Sequence, residues 1–224
     1  MKKNRLFVLF VGANLLATAA TADASIYWTM NQVDVSGNVQ GTTNQYGNTA
    51  GGLGVRGSLF DNGLFGTVKY RHQFGPAYQG YTGGDSNTFG LEVGYLFAAT
   101  PFVAVGPYLG YEYNRFSEHD AYLNSQASQS LDNLGGGLYA AASLPFANVT
   151  AHLGYLGGVS ETSRVTGFPP LQYNRSSNLL QMGVNLYLPL VANLDFFVGL
   201  HDDDFTQAGA PNLLRGDVGV GASF

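Results

Sequence analysis

The chain has no cysteine, one tryptophan and little charge: 10 Lys and Arg and 15 Asp and Glu make up 11% of its 224 residues. Without cysteine there is no disulfide framework, no thiolate nucleophile and no Cys-ligated metal. A net charge of -5 offers none of the basic surface that nucleic acid requires. Beyond residue 24 no apolar run approaches the roughly 20 residues of a membrane-spanning helix. There is no G-x-S-x-G, and His72, His119, His152 and His201 are too dispersed to form a metal-ligand set.

The N-terminus has a separate logic. Lys2, Lys3 and Arg5 precede a mostly apolar stretch from Leu6 to Leu16, broken by Gly12 and Asn14, and small residues follow at Ala22 and Ala24. This is the pattern of a cleaved secretory signal over 1–24, with 25–224 as a single mature domain. An N-terminal anchor is the alternative, and the shortness of the run argues against it.

What the chain does contain is 31 Gly, 14 Tyr and 15 Phe, with apolar residues spaced by two. In "TFGLEVGYLF", Phe89, Leu91, Val93, Tyr95 and Phe97 share one face, while Thr88, Gly90, Glu92 and Gly94 share the other. The same alternation recurs in "NVTAHLGYLGGV", "NLLQMGVNLYL", "LDFFVGLHD" and the terminal "RGDVGVGASF". Connections alternate as well. Short ones at 61–63, 98–101, 144–148 and 188–193 are interleaved with long polar ones around 41–48, 75–85, 117–129, 161–176 and 203–212. The expectation is an all-β fold, a closed antiparallel transmembrane β-barrel of about ten strands, with eight as the alternative.

A soluble sandwich also alternates, but its polar faces carry many Lys and Glu. Here they are Gly, Ser, Thr, Asn and Gln with isolated charges, which suits a crowded barrel interior. Phe60, Phe97, Phe102, Phe146, Phe196 and Phe224 gather at the short-turn ends, and Tyr70, Phe74, Tyr111, Tyr113 and Tyr155 toward the long-loop ends. Two aromatic girdles are what a bilayer's two interfaces select. The leader, the alternating strands and the closing "VGVGASF" resemble bacterial outer-membrane β-barrel proteins, in particular the small OmpA/OmpX-like class. The resemblance implies location in the bacterial outer membrane, contact with its lipid and lipopolysaccharide, and recognition of Phe224 by the barrel-assembly machinery.

With Val and Leu facing lipid, the inward charges are Asp34, Arg56, Lys69, Arg71, Glu92, Glu112, His152, Asp195, Arg215 and Asp217. Acids and bases nearly match, so a lumenal network is expected, with Arg215 or Arg56 against Asp34 or Asp217 as candidate pairs. The same residues would line a pore if the lumen were open, but their long side chains favour a filled one. The leading reading is therefore a structural or surface-interaction barrel, with a narrow porin for small solutes as the alternative. A hydrolase at the rim is the third. For it, "HDDD" at 201–204 offers His201 and Asp203 on one face, but in the reverse of the Asp-x-His order of the omptin proteases. No cofactor, metal site or catalytic residue is assigned. An extracellular ligand would meet the long loops, where "GFPPLQY" offers Phe168, Leu171 and Tyr173 as contact area on a proline-stiffened segment.

Overall fold

The computed structural model describes residues 32–44, 49–75, 83–120, 125–169, 171–173, 177–191, 193–206 and 212–224. The expected leader at 1–24 lies outside them. Twelve strand segments follow one another: β1 (Gln32–Asn44), β2 (Thr49–Asp61), β3 (Leu64–Phe74), β4 (Gly83–Tyr95), β5 (Phe97–Thr100), β6 (Val103–Asp120), β7 (Ser125–Leu144), β8 (Ala147–Val165), β9 (Leu171–Tyr173), β10 (Leu179–Val191), β11 (Leu194–Phe205) and β12 (Leu213–Ser223). Since β5 continues β4 past Leu96, and β9 precedes β10 along the same edge of β8, they form a barrel of 10 strands. Every neighbour is antiparallel, and β12 pairs β1 from Asp34↔Ser223 to Asn44↔Leu213. That seam closes the barrel and removes the sheet edges that lipid would leave unpaired.

The alternation is carried into three dimensions. Val35, Val39, Leu53, Val55, Leu109 and Leu138 all expose more than half of their surface on the outside. A water-soluble protein does not present such a belt. Phe97, Phe146 and Phe224 are exposed at the short-turn end, and Tyr70, Phe74, Phe89 and Tyr155 on the other side of the belt. Phe60 departs from the expected girdle: it faces inward, only 7% exposed, because β2 places it on the same face as Arg56 and Ser58.

The short connections are built by local chemistry. Asn62 and Gly63 have φ of 48° and 90° and join Asp61 to Leu64 in the tightest kind of hairpin. Only residues tolerant of positive φ fit there. A Cβ on Gly63 would also stand 2.6 Å from the Leu96 carbonyl oxygen. At the next turn, Thr100 Oγ1 accepts from the amides of Phe102 and Val103 at 3.2 and 3.0 Å.

At the opposite end the strands run well past the bilayer. β6, β7 and β8 have 18, 20 and 19 residues, against the roughly 9–11 that a tilted strand needs to cross. Segments expected to be loops at 117–129 and 161–176 are therefore largely strand, with β6 and β7 paired out to Asp120↔Ser125. Leu171 and Tyr173, expected in a loop, lie in β9 opposite Ser163 and Glu161.

Candidate functional site

Hydrophobic side chains fill the lumen in two separate layers. Toward the short turns, Phe60, Phe65, Leu96, Ala104, Tyr108, Tyr139 and Ala141 form one cluster. Its rings stack closely, with Phe65 centred 6.2 Å from Phe60 and 5.0 Å from Tyr139. Toward the long strands, Phe116, Leu131, Leu156, Leu179, Phe205 and Leu213 form the other, where Phe116 and Phe205 meet edge to face at 6.1 Å.

A charged layer joins opposite walls. Lys69 Nζ lies 2.9 Å from Glu92 Oε1 and 3.1 Å from Glu112 Oε2. Arg71 reaches Glu112 at 3.4 Å and, on the far wall, Asp203 at 3.6 Å. Arg215 Nη1 donates to Asp203 Oδ2 at 3.0 Å. The chain Glu92–Lys69–Glu112–Arg71–Asp203–Arg215 is electrically balanced. Amides complete it: Gln181 and Asn114 donate to Glu112 at 2.7 and 3.0 Å, and Thr88 donates to Asn114 at 2.8 Å. Burying ions is tolerable only when they are paired and hydrogen-bonded, and of this chain of ions Arg215 Nε alone is left buried without a partner. Glycines make the room: a Cβ at Gly154 would fall on the Tyr108 hydroxyl, one at Gly183 on the His201 and His152 rings, and one at Gly199 on the Asp217 carboxylate.

The expected ion pairs are replaced by others. Arg215 pairs with Asp203 rather than Asp34 or Asp217. Along the seam Arg215 stands opposite Thr42, whereas Asp34 stands opposite Ser223, eight positions and roughly 26 Å away at strand rise. Arg56 meets no carboxylate at ion-pair distance among the described residues. It donates instead to Ser58 at 3.1 Å and to the hydroxyls of Tyr187 and Tyr139 at 3.3 Å each. Asp217 accepts from Asn38 at 2.7 Å and lies 3.6 Å from His201. Asp34 and Asp195 line a cavity of about 50 Å³ on the short-turn side of Arg56, and a second of about 80 Å³ lies on the other side among Lys69, Glu92, His152 and Asp217. Spaces of that size hold a few waters.

Asp203 is the lumenal charge missing from the expected set. Its signal was the alternation His201, Asp203, Phe205, which continues β11 through a stretch that composition alone marks as an acidic loop. That alternation also dissolves "HDDD" as a chemical unit. Asp203 turns inward to the arginines while Asp202 and Asp204 fall on the opposite face, so the carboxylates do not converge on one cation. His201 is inside the barrel, 3.1 Å from Asn185, with Asp217 rather than Asp203 as its neighbouring carboxylate. Glu118 and Glu161 are two further buried acids that the sequence reading left in loops. Phe168 is 73% exposed beyond the end of β8. Phe224 is 77% exposed at the seam, where its backbone exchanges hydrogen bonds of 3.1 and 2.9 Å with Val33.

A closed, even-stranded antiparallel barrel with an apolar exterior edged by aromatics and a polar, packed interior is an integral outer-membrane β-barrel. The chain is one, and its place is the bacterial outer membrane. Among solved structures, the translocator domain of the autotransporter NalP from Neisseria meningitidis superposes with a TM-score of 0.51 at 13% identity, covering 99% of this chain and 97% of that one. Ail, the attachment invasion locus protein of Yersinia pestis, gives 0.46 at 11% identity over 87% of this chain and 99% of its own. An outer membrane channel from Pseudomonas putida F1 gives 0.48 at 9% identity, over 91% and 100%. At 13% identity the likeness to the NalP domain is one of fold. No protein-family model and no curated protein matches the chain.

Proposed function

We propose that this barrel is a non-enzymatic scaffold with a closed lumen, acting at the cell surface through the strands and loops that stand above the membrane. The observation that carries this reading is the layering of the interior. Apolar clusters lie on both sides of the ion network, and the cavities around Arg56 hold only about 80 and 50 Å³. A solute path would have to break the salt bridge that ties β3 to β11 and displace ring clusters at both ends. The extended β6, β7 and β8 provide the surface. They bring a three-stranded wall out of the membrane, with Phe168 at its edge.

The test is conductance. Protein purified from outer membranes and reconstituted into a planar lipid bilayer is expected to insert without discrete channel steps. Reproducible steps from the folded protein would instead support the narrow-porin reading, and would make Lys69, Arg71, Glu92 and Glu112 its lining.

A further inference from the structure

On the outer wall of the β6–β7–β8 extension, a groove of about 700 Å³ holds two arginines. Arg115 on β6 is opposite Ser130 of β7, and Arg164 on β8 is opposite Ser128 of the same strand. The two guanidiniums therefore flank one strip of serine hydroxyls from either side. Both side chains are exposed, and neither is paired with a carboxylate among the described residues, although Asp85, His119 and the buried Glu118 also border the groove. Tyr113 donates to Ser130 at 3.2 Å and Tyr111 to Asp132 at 2.5 Å, and outward tyrosines near the end of the apolar belt are the residue type that interfaces select. Arg115 is the next outward residue after Tyr113 along β6, and its side chain is exposed.

A second feature lies lower on the barrel exterior, reaching from β6 and β7 onto the neighbouring strands. Leu109, Tyr111 and Leu134 edge an apolar groove of about 660 Å³ that crosses β2 and β3, where Gly57 and Gly66 supply no side chain to fill it. Leu109 and Arg115 are some 20 Å apart along β6 at the usual rise per residue. Two exposed guanidiniums beside serine hydroxyls, with an open apolar depression lower on the barrel, suit one molecule with anionic groups on a headgroup and hydrocarbon beneath. Guanidinium suits phosphate, which it grips through two parallel hydrogen bonds.

We propose that Arg115 and Arg164 form a lateral binding site for the phosphorylated glycolipid of the outer leaflet, lipopolysaccharide, with acyl chains against the Leu109–Leu134 groove. The site rests on the outer-membrane placement of the barrel and is independent of whether the lumen conducts.

Native mass spectrometry and thermal unfolding of the detergent-purified protein test it, with three probes: lipopolysaccharide, the same lipopolysaccharide stripped of its phosphates, and inorganic phosphate. Intact lipopolysaccharide is expected to form a one-to-one adduct and to raise the unfolding midpoint. The stripped form should bind about tenfold or more weakly, the loss expected when charge-assisted hydrogen bonds disappear. Inorganic phosphate should not shift the midpoint. Arg115→Ala with Arg164→Ala should lose about tenfold or more in affinity for the intact form, with partial recovery in the Lys, Lys variant. Equal binding of intact and stripped lipopolysaccharide would overturn the proposal, and so would an unaffected double alanine variant. A midpoint raised as much by inorganic phosphate would reassign the site to a soluble anion, and a protein dimer in place of a lipid adduct would reassign it to a second copy. Should the double variant fail to fold, the three probes on the unaltered protein still decide. Channel steps in the conductance experiment would overturn the closed lumen and leave these outcomes standing.

Discussion

At the scale of single residues, Glu112 has the greatest leverage. It accepts from Lys69, Arg71, Asn114 and Gln181 and is almost wholly buried. Replacing it by leucine leaves Lys69 with Glu92 alone and Arg71 with the longer contact to Asp203. Removing one member of a buried charge network costs about 3–5 kcal/mol, because the remaining charge is stranded. Glu112→Leu is therefore expected to lower stability by about that amount in urea unfolding from lipid vesicles. Pairing it with Arg71→Met should recover part of the loss, since the excess cation goes and the Glu92–Lys69 and Asp203–Arg215 pairs both remain. Additive effects of the two substitutions would mean that the ions do not stabilise one another. The faces of Lys69, Arg71, Glu92, Glu112 and Arg215 were legible in the sequence, because period-two alternation assigns a face to every strand residue. Their partners were not. Arg71 meets Asp203 across the lumen, and a pattern within one strand carries no information about which wall lies opposite.

At the scale of elements, strands that bury one face in lipid were plain, and strands that do not were hidden. The turn at Asn62–Gly63 and the belt segments of β4, β10 and β12 follow directly from alternation and turn chemistry. The outer parts of β6, β7 and β8 read "SEHD", "SQASQS" and "ETSRV", polar on both faces, so nothing distinguishes them from loop. They are strands because the backbone ladder continues upward from the membrane. A bulge contributes as well: β8 pairs Gly158 with Asn133 and Ser160 with Asp132, skipping Val159. The skipped residue shifts the inward parity, which is how Glu161 is buried against the alternation that His152 and Leu153 set. If the extension is supported by the barrel rather than the reverse, its tip is dispensable. Phe116 and Gln129 are directly paired, so replacing 117–128 by Asn-Gly would close a two-residue hairpin there. The shortened protein is expected to keep its heat-dependent shift in gel mobility and its unfolding midpoint, while losing lipopolysaccharide adducts along with Ser117 and Ser128. A shortened chain that no longer folds would show the extension to be part of the barrel's own stability.

At the scale of the whole molecule, stability and assembly separate at the seam. Closure rests on backbone: β1 and β12 are paired from Asp34↔Ser223 to Asn44↔Leu213, and Phe224 adds two further bonds to Val33 through its amide and carbonyl. None of these needs the ring of Phe224, which is 77% exposed at the short-turn rim. An exposed side chain at a strand end contributes little to a folded barrel beyond its interfacial contact with lipid. The assembly role implied for Phe224 would instead be exerted before the seam is made, while the last strand is still free to be recognised. Phe224→Ala should therefore leave unfolding of the purified protein unchanged within about 0.5 kcal/mol, the usual span for surface substitutions. In cells the same variant should lower the amount of folded protein in the outer membrane, read as the heat-shifted fraction in membrane extracts. An equal loss in both measurements would assign the ring to the stability of the closed barrel. An unchanged amount in cells would remove the assembly role, leaving Phe224 as one more aromatic of the periplasmic girdle.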